Sequence, residues 1–305
     1  MDQEQSWLSS ELGNDSNPVV DNYEYFMRPE PRENLGPITV EYDELLGMEI
    51  KTREIKIGMV RNAKDEDRKT VKAYLEPYPH LRIDKAKPLQ GWYKNLFEPK
   101  GTRNRPCFTE AVLTEPYGGY CNVGCAFCYV NAGFRGYRGT GLITVPINYG
   151  EQIRVQLSKM KRSAAGYFSS FTDPFLPLED LYHNTQRAAE EFVKLGLPIF
   201  FLSRLRYPGW AIELLKKNKY SYAQKSINTP SPEDWRLLSP GALPLEDHLE
   251  DIARLRKAGI YVSIQCNPIV PGVVTHSDVI KLFEKLSKAG ANHVIVKFVE
   301  AGYSW

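Results

Sequence analysis

Three cysteines lie within eight residues, at Cys121, Cys125 and Cys128 in the segment Tyr120-Cys121-Asn122-Val123-Gly124-Cys125-Ala126-Phe127-Cys128-Tyr129. The chain has five cysteines in all, and this clustering does not make a disulfide framework; grouped thiols read as metal ligands. Two chemistries compete for them. Zinc asks for a fourth ligand, usually His or Cys at short spacing. The nearest candidates are His80, His183 and Cys107, the last fourteen residues before Cys121. A cubane iron–sulfur cluster is also held well by thiolates, and three of them leave one iron without a protein ligand. That iron is open to a small chelating molecule, and the C-x3-C-x2-C spacing favours this reading. A structural zinc or cluster in a non-enzymatic binding protein is the third alternative.

A scaffold must hold these ligands, and the chain changes character just before them. From about residue 108, apolar strand candidates alternate with amphipathic helix candidates, which signals a parallel α/β sheet. The strands read as Glu110–Pro116, Gly166–Phe171, Pro198–Leu202, Tyr220–Ile227, Tyr261–Ile269 and Asn292–Val299. Helices are expected over 150–164, 180–195, 208–218, 245–258 and 276–289. The fourth of these presents Leu245, Leu249, Ile252 and Leu255 on one face and stops at Gly259, a residue suited to a left-handed helix terminus. The next presents Val279, Phe283 and Leu286 and stops at Gly290. The expected fold class is α/β, a partial (β/α)6 TIM-type barrel over 106–305 with an irregular N-terminal extension over 1–105. Within that extension, 13–37 reads as an arm, Val40–Ile57 as one or two short strands and Asp65–Leu75 as a helix. Residues 71–91, with three prolines, read as a wrapping loop. The cysteine segment follows the first barrel strand, at the C-terminal end where α/β barrels place their chemistry.

With Phe127 before its last cysteine, the motif resembles the signature of the radical S-adenosylmethionine (SAM) superfamily. The resemblance implies a [4Fe–4S] cluster whose open iron is chelated by the amino and carboxylate groups of SAM. An electron from the cluster then breaks a C–S bond, giving methionine and a 5′-deoxyadenosyl radical. In that superfamily the residue at Phe127 packs beside the adenine; Tyr129, on the other side of Cys128, is taken with it as a cofactor contact. Further segments, spread over roughly 110–300, are similar to the spore photoproduct lyase branch. Ser169-Ser170-Phe171-Thr172-Asp173-Pro174 closes the second strand, where the superfamily binds the SAM amino group. Ser203-Arg204 ends the third, where that branch places a basic residue near the SAM carboxylate. Ser226-Ile227-Asn228 ends the fourth, on the ribose and carboxylate side, and Asn267-Pro268-Ile269-Val270-Pro271-Gly272 resembles a turn under the adenine. The residue types suit these tasks: an arginine takes a carboxylate bidentately, and hydroxyl and amide groups bind ribose and ammonium. Taken singly, Ser170, Thr172, Ser226 and Asp173 are also ordinary turn or cap residues, and Arg204 an ordinary surface charge.

The departures bear on the substrate. The repair lyase carries a hydrogen-donating cysteine three positions before the Asp of its second-strand motif, where this chain has Ser170, and a serine O–H bond is far too strong to replace a thiol. The lyase has tyrosines on both sides of its last cluster cysteine, where Phe127 and Tyr129 stand here. It also continues past its sixth strand into a DNA-gripping region, whereas this sequence stops at Trp305. These differences point away from DNA photoproduct repair. The leading expectation is a lyase-like radical enzyme acting on a peptide or protein, such as a ribosomal precursor peptide cleaved by a splicease. Its partners would be a small peptide-binding protein and an electron donor of the flavodoxin or ferredoxin kind. The alternative is nucleic-acid lesion repair or base modification, supported by Arg135 and Arg138 and by aromatics such as Trp92, Tyr93, Phe97 and Tyr137 that can stack on bases. Cys107 and Cys266 are candidate hydrogen donors, though a lone cysteine is usually a small buried apolar group. Tyr117 and Tyr129 can relay a radical or simply pack. His183, His248, His276 and His293 show no ligand spacing.

Composition sets the outer bounds. Apolar residues make up 42 % and charged residues 25 %, which suits a globular protein with a sizeable core. No apolar run reaches the length of a membrane span, and the polar, acidic N-terminus is no secretory signal, so a cytoplasmic location is expected. The net charge of +2 is too small to argue for nucleic acid. Its distribution is uneven: residues 1–50 hold twelve acidic against two basic residues, and 51–105 fifteen basic against seven acidic. A basic stretch of that kind meets phosphates, an acidic peptide or the acidic arm itself.

Overall fold

The computed structural model describes residues 36–57, 69–83, 111–128, 130, 142–160 and 163–299. Its first four strands are β1 (Ile38–Asp43), β2 (Met48–Ile57), β3 (Lys69–Tyr74) and β4 (His80–Ile83). After them come β5 (Ala111–Thr114), β6 (Gly118–Gly119), β7 (Ile143–Pro146) and α1 (Tyr149–Ser158). The remainder alternates: β8 (Ala165–Phe168), α2 (Glu179–Tyr182), α3 (Asn184–Lys194), β9 (Ile199–Ser203), α4 (Gly209–Lys216) and β10 (Tyr222–Ser226). It closes with α5 (Pro232–Leu238), α6 (Leu245–Lys257), β11 (Tyr261–Ile269), α7 (His276–Ala289) and β12 (His293–Phe298).

Two six-stranded sheets result. One is parallel throughout and runs β12-β11-β10-β9-β8-β5, so each strand lies beside its neighbour in the alternating series. Parallel neighbours need crossovers, and helices fill most of them, which is why apolar runs and amphipathic helices alternate in the sequence. Phe168 and Phe201 on adjacent strands meet each other and the edge of Phe192 from α3, all fully buried. Each such side chain contributes about 1.5–3 kcal/mol by leaving water. The helix ends are chemically marked. α6 carries Glu246 and Asp247 in its first turn and Arg254, Arg256 and Lys257 in its last, complementing the helix dipole. α7 opens with a reciprocal cap between Thr275 and Asp278 and ends at Gly290 in the left-handed region.

The second sheet is mixed, in the order β1-β2-β3-β4-β7-β6. Its first four strands form an antiparallel meander, and β7 then joins β4 in parallel, from His80 opposite Ile143 to Ile83 opposite Pro146. The segment between β5 and β8 therefore completes a sheet begun before residue 84. The expected helix at Asp65–Leu75 is replaced, over its described part, by strand β3. Thr70, Val71 and Tyr74 are strand formers, and pairing with β2 from Thr52 to Ile57 decides the outcome over the local charge pattern. The expected loop over 71–91 likewise contains the end of β3 and all of β4. The expected helix 180–195 is two helices, split at His183, whose φ is 51°. There Glu179 turns back to accept the N–H groups of Thr185 and Gln186, capping α3, while Tyr182 swings out to the mixed sheet. The helix expected over 150–164 stops at Ser158, and α5, β6 and β7 were not foreseen.

Candidate functional site

The cysteine segment is folded by its own backbone and by a clamp from elsewhere. Gly124 N–H bonds the Cys121 carbonyl at 3.1 Å and Cys128 N–H that of Cys125 at 3.1 Å, so two tight turns space the three thiols. Gly124 has φ 63°, a conformation that favours glycine. The residues after α5 hold the loop from the other side: Ala126 N–H donates to Leu238 O at 3.0 Å, and Gly241 N–H to Val123 O at 2.9 Å. The approach is so close that a Cβ on Gly241 would lie 2.1 Å from Asn122 O. The Cys121, Cys125 and Cys128 thiols are half-buried.

Hydrogen-bond donors already point at two of the sulfurs. Asp173 N–H reaches Cys121 Sγ at 3.4 Å, and the Ser239 hydroxyl reaches Cys125 Sγ at 3.5 Å. Donors of this kind favour the thiolate over the thiol. Burial works against it, pushing the Cys121 thiol up to about 12 with help from the Asp173 charge. Burial raises Cys125 as well, and Arg204 opposes it. A metal group binding here therefore displaces protons. Among the described residues, no three His, Cys, Asp or Glu side chains gather as a single-ion site. A cubane spreads its thiolates over separate irons, whereas zinc gathers its ligands on one ion.

The C-terminal ends of the parallel strands converge beside this loop. Asp173, after β8, is buried, with its carboxylate accepting Phe175 N–H at 3.0 Å, Arg204 N–H at 2.7 Å and the Ser203 hydroxyl at 2.9 Å. It thereby fixes the turn that carries Arg204 after β9. The Arg204 guanidinium is 7 % exposed, yet among the described residues it has no carboxylate partner. It donates to Ser239 Oγ at 3.2 Å and to Asn267 O at 3.3 Å, and lies 5.0 Å from the Phe127 ring and 5.2 Å from that of Trp235. Asn228, after β10, is fully buried; its Nδ2 donates to Pro268 O at 2.9 Å, while its Oδ1 is buried without a partner. A buried cation without an anion and an orphaned amide oxygen are features a charged polar ligand would satisfy.

The other expected residues fall as follows. Thr172 is buried and its hydroxyl donates to Tyr117 O at 3.2 Å. Ser170 is occupied by Glu115, which accepts its N–H at 2.9 Å and its hydroxyl at 2.7 Å. Ser226 is buried at the end of β10. Tyr117 is buried against Glu179, and Cys266 lies fully buried in β11. His248 is buried with neither ring nitrogen hydrogen-bonded, and burial holds it neutral. Tyr129, Cys107, Trp92, Tyr93, Phe97, Arg135, Tyr137 and Arg138 lie outside the described residues. Sequence reasoning missed Glu115, Trp235 and Ser239. Trp235 lies in α5 and Ser239 directly after it, and the local signal for that helix is Ser231-Pro232, a serine cap followed by proline at the first helical position.

Comparison with known proteins agrees with the thiol motif. No protein-family model matches the chain. A protein of Pseudomonas phage M6 described as a radical SAM Nα-GlyT isomerase is 66 % identical over 308 residues, an alignment covering 98 % of this chain. The chain spans 64 % of that relative's length. Among solved structures, Streptococcus suis SuiB bound to S-adenosylmethionine superposes with a TM-score of 0.43 at 16 % identity, over 60 % of this chain and 38 % of that one. Spore photoproduct lyase complexed with dinucleoside spore photoproduct gives 0.47 at 16 % identity, over 60 % and 54 %. Likenesses that slight carry no argument, and nothing below rests on them. The chain belongs to the radical SAM superfamily.

Proposed function

We propose that this chain is the radical-generating part of an isomerase acting on an Nα-GlyT group, as its phage relative is described. The observation that carries the reading is the buried Arg204, without a carboxylate partner among the described residues, set against the three-cysteine loop. Cys121, Cys125 and Cys128 would hold a [4Fe–4S] cluster, and the parallel sheet is read as an open partial barrel whose strand ends turn toward it. With SAM bound, that cluster supplies one-electron cleavage to methionine and a 5′-deoxyadenosyl radical, which takes hydrogen from the substrate. The protein's task is to bind and orient. Arg204 takes the SAM carboxylate, with Ser226 and Asn228 on the ribose side. Asp173, whose oxygens are held by Ser203 and Arg204, supports the Arg204 turn and meets the SAM ammonium from the second strand. Phe127 and Asn267, with Tyr129, border the adenine.

An isomerase leaves the substrate's composition unchanged, so each hydrogen taken is replaced by another. Ser170 stands where the repair lyase keeps its thiol, and its O–H bond is too strong to supply that hydrogen. Return of the hydrogen from 5′-deoxyadenosine, with SAM re-formed, would balance the reaction. This differs from the splicease-type cleavage of a precursor peptide expected above, and it needs a one-electron donor of the flavodoxin or ferredoxin kind as partner. Among the described residues, no helix is long and apolar enough to cross a membrane.

Anaerobic reconstitution with iron and sulfide, followed by dithionite and SAM, should yield a brown protein that forms 5′-deoxyadenosine, and Cys125→Ala should abolish it. A colourless zinc protein forming none would overturn the reading. With deuterated substrate, label appearing in recovered SAM over many turnovers would show return of the same hydrogen, and one SAM consumed per product would assign the returning hydrogen to another donor; a product differing in mass from the unlabelled substrate would exclude the isomerase step.

A further inference from the structure

The residue that joins the two halves of the site belongs to neither sequence motif. Ser239 follows α5 and is 1 % exposed. Its main chain is fixed on both sides, N–H to Trp235 O at 2.9 Å and carbonyl to Ala242 N–H at 3.0 Å. The flanking residues Leu238 and Gly241 are those that clamp the cysteine loop through Ala126 and Val123. Its hydroxyl is therefore held rigidly at the cysteine loop. Arg204 Nη1 donates to the hydroxyl oxygen at 3.2 Å, and the hydroxyl proton is left to point at Cys125 Sγ, 3.5 Å away.

We propose that Ser239 is a positioning residue that relays the charge of Arg204 to the Cys125 sulfur and so sets the reduction potential of the cluster. This rests on the cluster reading above. Reduction adds an electron to a cluster whose sulfurs already carry negative charge, so a hydrogen bond to sulfur stabilises the reduced form more than the oxidised and raises the potential. The arginine sharpens the effect, since a hydroxyl accepting from a cation is a stronger donor. The same cation is the proposed seat of the SAM carboxylate. SAM binding draws Arg204 charge toward the carboxylate and weakens the donor, so ligand and potential are coupled through one hydroxyl.

The test is an EPR-monitored redox titration of the reconstituted protein, with iron and sulfide analysis, on wild type, Ser239→Ala and Ser239→Thr. Ser239→Ala should hold its four irons but be about tenfold harder to reduce, a fall of about 59 mV for a one-electron couple. Ser239→Thr, which keeps the hydroxyl, should return toward the wild-type value. Wild type and Ser239→Ala titrating together with full iron would overturn the inference while leaving the cluster reading intact. A wild type that takes up no cluster would overturn the cluster reading itself. If Ser239→Ala loses the cluster and Ser239→Thr keeps it, the hydroxyl serves to retain the cluster rather than to set its potential, and the inference fails. If both variants lose it, Ser239 acts through packing and the inference fails.

Discussion

Arg82 and Arg204 are two guanidinium groups removed from most solvent, the first in a strand of the mixed sheet and the second just after a strand of the parallel sheet, and each lies over two aromatic rings. Arg82, in β4, sits 4.3 Å from the Tyr74 ring and 5.2 Å from that of Tyr182. Arg204, after β9, has Phe127 at 5.0 Å and Trp235 at 5.2 Å. What separates them is the anion. Arg82 meets Asp43 at 2.6 Å and donates to the Tyr182 hydroxyl at 2.7 Å, and the guanidinium beside Asp43 holds that carboxyl below its ordinary range. Among the described residues, the Arg204 guanidinium donates to a hydroxyl and a main-chain carbonyl and meets no carboxylate. A buried cation with its own carboxylate is an internal tie, here between the mixed sheet and the α2 region through Tyr182. The same cation without one is suited to a ligand's charge, the role proposed for Arg204.

Breaking the tie should have the larger effect on folding. Arg82→Leu leaves Asp43 buried and unpaired, which costs about 3–5 kcal/mol, read as a lower denaturation midpoint, with SAM affinity unchanged in the protein that remains folded. Arg204→Leu should do the reverse: SAM binding falls by about 1.5–3 kcal/mol, some ten- to hundredfold, while the denaturation midpoint holds or rises. An Arg204 variant that unfolds yet binds SAM normally would reduce the contrast to packing alone. Gly241→Ala tests the clamp that brings the cysteine loop to Arg204. The added carbon must displace Asn122, at about 1–3 kcal/mol, and iron retention after reconstitution should drop while the midpoint set by Arg82 stays.

The contrast was only half legible in the sequence. The parallel sheet could be read because its mostly apolar strands alternate with amphipathic helices whose ends are marked, by charges complementing the dipole at Leu245–Lys257 and by a capping box and Gly290 at His276–Ala289. The order Ser203-Arg204 and Ser226-Ile227-Asn228 then falls at strand ends by position alone. Of the mixed sheet only the strands over Val40–Ile57 could be read. β4, β6 and β7 are two to four residues long, and β4 and β6 depend on pairing with β7, far from β4 in sequence, which no local pattern announces. Ser239 was hidden for another reason: a lone serine after a seven-residue helix carries no periodicity, and only the fold shows that it faces Cys125. Asp173 was picked out as a contact for SAM; that its carboxylate also holds Ser203 and the Arg204 main chain is a role that spacing cannot reveal.

The smallest effect belongs to two titrating groups at the tie itself, whose slopes oppose each other. His80 is fully buried, bonded to the Tyr182 hydroxyl at 2.6 Å, and burial lowers it from 6.5 to about 4. The folded state resists protonating it, so its contribution is present above pH 6.5 and is lost as pH falls toward 4. Glu179 is buried beneath α3, and burial raises it from 4.5 to about 7 against the donors that face it. The folded state keeps its proton, so its contribution is present below pH 4.5 and is lost as pH rises toward 7. Between pH 4.5 and 6.5 the two changes, each up to about 1.4 kcal/mol per pH unit, run in opposite directions and nearly cancel. Wild-type stability measured by urea denaturation should therefore be almost flat across that window. Glu179→Gln should uncover a rise with increasing pH, and His80→Phe a fall. A Glu179→Gln protein with the same flat profile would mean that the carboxylate and imidazole titrate near their ordinary values, and that the tie draws its strength from Arg82 and Asp43 alone.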